Sequence, residues 1–212
     1  MATEEYRTLH ISSQDEFTEK RSRFIGYAAP VTTEDEALEF IAHIKKQHWD
    51  AKHNVYAYVL RDGQIRRYSD DGEPQGTAGI PVLEVLTKGN ITDAVIVVTR
   101  YFGGILLGGG GLVRAYGHAA SIAVKAAGIE ERILCDEVTV SCDYGQYGRV
   151  QPLLCEHGAV IDDTVFENDV TISFHMRKHG IPSLNKDLAD ATAGSVACCL
   201  VGENFYSFLQ KE

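Results

Sequence analysis

Three carboxylates within four positions, Asp70, Asp71 and Glu73, and two arginines, Arg100 and Arg114, flanking a glycine-dense run are the side chains of this 212-residue chain best suited to chemistry. The carboxylates sit in Ser69-Asp-Asp-Gly-Glu-Pro-Gln-Gly-Thr77, a density that suits a hard cation such as magnesium or a general base facing bound phosphate. A turn rich in Asp, Gly and Pro serves a tight connection equally well. His53 is the histidine best sited to assist acid–base work. Between the arginines lie Gly103 and Gly104 and then Gly108, Gly109, Gly110 and Gly111. Amides in such a loop, with a helix expected from about Leu112 aiming its unpaired N–H groups into it, attract anions, and Arg100 and Arg114 could both reach one oxyanion. The same glycines also suit close packing of an alanine-rich helix on a sheet. No Gly-Lys-Ser/Thr follows them and no register gives Gly-x-Gly-x-x-Gly, so the named nucleotide loops are not matched.

The elements that must hold these residues follow from periodicity. Ala94 to Val98 is a β-branched run that suits a strand covered on both faces. The helix after the glycines carries Arg114, His118, Ser121 and Lys125 on one face, which reads either as a cationic stripe or as a solvated surface. Upstream, a polar lead is followed by a strand from Arg23 to Val31 broken at Pro30. Thr33 with Glu36 forms a capping box for a helix ending near His48. Asn54 to Leu60 and Gln64 to Tyr68 read as a hairpin, and a helix is expected over about Thr77 to Thr87. From Glu130 on, strand-like runs at 133–142, 160–166, 170–176 and 196–201 alternate with helical ones at 145–157 and 183–193. That order is the β-α-β-β-α-β of the ferredoxin-like arrangement.

Composition sets outer limits. The chain has room for two small domains, expected at 1–129 and 130–212. No apolar run approaches the roughly 18 residues that span a bilayer, and Met-Ala-Thr-Glu-Glu is no signal peptide, so a cytoplasmic protein without membrane contact is expected. Five cysteines without Cys-x-x-Cys give no zinc or disulfide framework. The net charge of −10 is uneven, −2 over residues 1–129 and −8 over residues 130–212. The acidic half suits a basic protein partner, whereas Lys20-Arg21-x-Arg23, Lys45-Lys46, Lys52-His53 and Arg66-Arg67 give the first half local basic clusters that suit a polyanion.

With these residues in view, the chain resembles the IMPACT/YigZ family. The resemblance rests on Tyr68-Ser-Asp-Asp-Gly-Glu-Pro-Gln-Gly-Thr-Ala-Gly-Ile-Pro-Val and Val97-Val-Thr-Arg-Tyr-Phe-Gly-Gly-Ile-Leu-Leu-Gly-Gly-Gly-Gly-Leu-Val-Arg-Ala-Tyr116 and covers roughly residues 20–128. The family pattern falls on His53, Asp70, Asp71, Glu73, Arg100, Gly103, Gly104, Gly108, Gly111 and Arg114; Gly109 and Pro81 depart from it. The resemblance implies an α+β protein of two α/β-sandwich domains. The first would be like the second domain of ribosomal protein S-five, and the second ferredoxin-like, as in the fifth domain of elongation factor G. It also implies a link to translation, because eukaryotic relatives regulate the kinase that controls initiation under amino-acid starvation. The leading expectation is a translation-associated binding protein contacting RNA phosphates or the ribosome through the glycine loop and its arginines. The alternative is an enzyme that binds a phosphorylated small molecule or nucleotide with magnesium.

Overall fold

The computed structural model describes residues 4–209. It is α+β and divides into two compact units, Tyr6–Glu131 and Arg132–Phe208, the latter joined by Glu4 and Glu5.

The first unit is built on an antiparallel sheet of β2 (Ser13–Glu19), β3 (Ser22–Pro30), β4 (His53–Leu60), β5 (Ile65–Ser69) and β6 (Ala94–Tyr101), in the order β2-β3-β6-β4-β5. Because side chains alternate across a strand, β3 and β6 bury both faces. Ile25, Tyr27, Val95 and Val97 meet α1 (Glu34–Gln47) through Ala37, Ile41 and Ile44. Phe24, Ala28, Ile96 and Val98 meet α2 (Gly79–Lys88) and α3 (Gly109–Ala127) through Val82, Leu86, Tyr116 and Ala119. Gly26 lets α3 lie close, since a Cβ there would stand 2.3 Å from the Ala119 carbonyl oxygen. The Thr33–Glu36 capping box forms as expected.

Several elements depart from the sequence reading. The polar lead is not irregular: Glu5–Leu9 forms β1, and Ser13–Glu19 forms an edge strand whose outward polar residues conceal its period. The helix expected from Leu112 begins at Gly109, because Gly108, at φ 73°, turns the chain and only then does the helix start. The helix expected from Thr77 begins at Gly79.

In the second unit β7 (Ile129–Cys142, from Arg132 on), α4 (Tyr144–Glu156), β8 (Val160–Phe166), β9 (Val170–Arg177), α5 (Ile181–Thr192) and β10 (Cys199–Leu209) follow the ferredoxin-like order, with β9 between β7 and β8 and β10 on β7. Its core is separate, formed by Val138, Val140, Val150, Leu154, Ile172, Phe174, Leu184 and Leu188. The last strand begins three residues later than expected and runs on to Leu209, and the apolar Val196 fills this core ahead of it. No helix among the described residues is long and apolar enough to cross a membrane.

Candidate functional site

The sheet register gathers most of the singled-out residues at one end of the first unit, where His53 at the start of β4 pairs opposite Arg100 near the end of β6. There the acidic segment folds inward. The Asp70 carboxylate accepts the amides of Gly76, Ala78 and Gly79 at 2.8–3.1 Å, capping the first turn of α2 from across the loop. Asp71 accepts Lys45 Nζ at 2.8 Å on Oδ1 and the Asn54 amide at 2.7 Å on Oδ2. Its carbonyl oxygen lies 2.9 Å from His53 Nδ1. A carbonyl only accepts, so Nδ1 carries the proton and Nε2 is unprotonated in the neutral ring.

Glu73 is buried. It accepts hydrogen bonds from Arg100 Nη1 and from the Tyr116 hydroxyl at 2.8 Å, and His53 Nε2 stands 3.9 Å away. Burial first, then the Glu73 carboxylate, pushes the Tyr116 hydroxyl far above its ordinary pKa, so it stays a donor. Arg100 is itself 5% exposed, lies between the rings of Phe24 and Phe102 at 5.5 and 5.4 Å, and keeps a buried Nε without a partner. The expected pairing of both arginines on one oxyanion is therefore corrected: Arg100 is committed to Glu73. All three carboxylates hold internal donors, and among the described residues no group of three or more His, Cys, Asp or Glu is disposed to hold a metal.

Arg114 behaves differently. It is exposed in the second turn of α3 and makes no ion pair or hydrogen bond among the described residues. Gly109, Gly110 and Gly111, expected in a loop, are the first turn, and no side chain caps its amides. Gly104 and Gly108 both have positive φ and open space where a side chain would be.

The partner of this helix end is a feature that sequence reasoning missed. Glu19 pairs with Ser22, so β2 and β3 are joined by Lys20-Arg21 alone, with φ values of 46° and 64°. Such two-residue turns ordinarily take Asn-Gly, because left-handed backbone costs a residue bearing a Cβ. Here two cations hold it. Gly103 docks against this tip: its Cβ position lies 2.0 Å from the Arg21 carbonyl group, and its amide donates to Ser22 Oγ at 3.2 Å. Glu19, Lys20, Leu107, Gly111, Arg114 and His118 then line a cavity of about 250 Å³, with Phe17 edge-on to His118. Around the same sheet end Phe102, Ile105 and Leu106 are exposed, as is Trp49, at 83%. Glu19 to Ser22 gave no signal for the hairpin, because a basic pair carries no turn signature.

Comparison with known proteins agrees with this architecture. The Impact N-terminal domain matches residues 20–124, and a domain of unknown function (DUF1949) matches residues 140–195. The chain is 40% identical to the IMPACT family member YvyE of Bacillus subtilis, spanning 89% of this chain and 88% of the relative. It is 33% identical to the IMPACT family member YigZ of Escherichia coli, over 87% and 92%. The chain belongs to the IMPACT family. The rat Protein IMPACT is 34% identical over 43% of this chain and 30% of its own length. A solved structure described as an hypothetical protein superposes with a TM-score of 0.60 at 31% identity, covering 95% of this chain and all of the other.

Proposed function

We propose that this is a translation-associated binding protein whose first unit contacts RNA backbone phosphates, free or on the ribosome, at the end of the sheet that carries the glycine run. The observation carrying this reading is the Lys20-Arg21 tip, held left-handed against Gly103 beside the uncapped first turn of α3 and the unpaired Arg114. Two cations, Lys20 and Arg114, that make no ion pair among the described residues outnumber the single carboxylate, Glu19, lining the same cavity, and with the free amides of the helix end they suit a phosphate oxygen. Membership in the IMPACT family supports a role in translation. Trp49 and Phe102 add exposed rings on which unpaired bases can stack. The acidic second unit, a poor second grip on RNA, serves as a dock for a basic protein partner, and the protein works in the cytoplasm, where ribosomes are.

The test is titration of the full chain with a structured RNA at rising salt, read through Trp49, the only tryptophan. Affinity falls as salt rises, and Arg114→Ala weakens binding and lowers the salt slope by about one unit. Binding indifferent to both salt and Arg114→Ala overturns the reading. The enzyme alternative has less support, because Asp70, Asp71 and Glu73 already accept internal donors. A nucleotide that raises the melting temperature only with magnesium would restore it.

A further inference from the structure

A second cavity lies on the first unit away from the glycine run, where the C-terminal ends of α2 and α3 meet β1. It encloses about 560 Å³, within the range of small-molecule sites. Its apolar walls include Val85, Ile91 and Val124, and its polar lining is Arg7, His10, Ser121 and Lys125. No carboxylate lines it among the described residues, although the first half of the chain carries more acidic than basic side chains. Glu130, the acid nearest His10, is buried and lies 2.9 Å from His10 Nδ1.

Arg7 donates Nη1 to the Gly89 carbonyl at 3.0 Å, terminating α2, yet its Nε is buried with no acceptor. The Lys125 ammonium makes no ion pair or hydrogen bond among the described residues, and Ser121 Oγ donates to the Gly117 carbonyl. Two helix C-termini supply roughly half a negative charge each, which offsets only about one of the two permanent cations. Glu130 stands behind His10 and does not line the cavity, so the permanent charges on the lining itself are Arg7 and Lys125, over an apolar floor.

We propose that this cavity binds a small organic carboxylate with an apolar body. Its head would lie between Arg7 and Lys125, and its body would cover Val85, Ile91 and Val124. Octanoate is the probe, with octanol as the neutral body and acetate as the bare head group. Each is titrated into the full chain by calorimetry, with amide shifts of Val85, Val124 and Gly128 followed by NMR. Octanoate is expected to bind one-to-one and shift those amides, at least tenfold more tightly than octanol or acetate. Lys125→Ala and Ser121→Glu, both at exposed helix positions that leave the fold intact, each weaken it about tenfold. The proposal fails if octanoate shows no saturable binding at about 1 mM, if octanol binds equally well, or if neither substitution changes its affinity.

Discussion

The Glu73 cluster and the first turn of α3 occupy the same end of one sheet and draw on the same kinds of residue, yet their charges are spent differently. Around Glu73 each formal charge faces inward: carboxylate, guanidinium and phenol satisfy one another in the core. Around α3 the cations and amides face water, and Lys20 and Arg21 sit in backbone that costs stability. A buried network of this kind fixes geometry; an exposed, strained, unpaired set is fit for a ligand. Proximity to a glycine run therefore did not decide which arginine is available. Strand alternation and the Glu73 carboxylate did.

The largest effect that would break this comparison comes from the buried side. Glu73→Gln leaves Arg100 charged, 5% exposed and without a counter-ion, and is expected to cost about 3–5 kcal/mol in urea unfolding. Adding Arg100→Met should restore much of that loss, because no uncompensated charge then remains. If the single substitution costs under about 1 kcal/mol, Glu73 is not the network's anchor.

On the exposed side the expected sign reverses. Lys20→Asn with Arg21→Gly places at the hairpin tip the residues its backbone favours, and should stabilise the protein by about 1–2 kcal/mol. The same pair of changes should weaken RNA binding and reduce its salt dependence. A stabilised variant that binds RNA as before would mean that the strained turn serves something else.

Much of the fold was legible because its signals are local. The Thr33–Glu36 capping box, the β-branched run of β6 and the alternating strands of the second unit are all written in adjacent residues. The roles of the acidic segment were not. That Asp70 caps α2, Asp71 holds the start of β4 and Glu73 pairs with Arg100 depends on contacts spanning up to 27 positions in sequence, which residue spacing does not encode. The aromatic partner Tyr116 was likewise hidden in the alanine-rich helix, where a large residue at helical spacing reads as ordinary core.

The smallest predicted effect sharpens the comparison from the other face of the sheet. Tyr101 follows Arg100 in β6, so its side chain turns away from Glu73 and toward α1. Its hydroxyl donates to Asp50 at 2.9 Å and lies 2.9 Å from His48 Nδ1, while Tyr27 Oη lies 2.6 Å from His48 Nε2. One arrangement satisfies all four groups: Tyr27 donates to Nε2, Nδ1–H donates to Tyr101, and Tyr101 donates to Asp50. It requires neutral His48. Burial lowers the His48 pKa below its ordinary 6.5, because the charged ring is poorly solvated there; the Asp50 carboxylate only partly opposes this. A base whose folded pKa is depressed contributes no pH dependence well above 6.5 and loses stability as pH falls from 6.5 through its folded value, since the unfolded chain then binds the extra proton. Urea stability should thus be level above about pH 7 and decline below 6.5, with His48 contributing at most about 1.4 kcal/mol per pH unit. His48→Gln should flatten that contribution, and NMR should place the His48 titration below 6.5. Arg114 belongs to the exposed set, so Arg114→Ala should leave this pH profile unchanged; an altered profile would show that the exposed cations and the buried network are coupled after all.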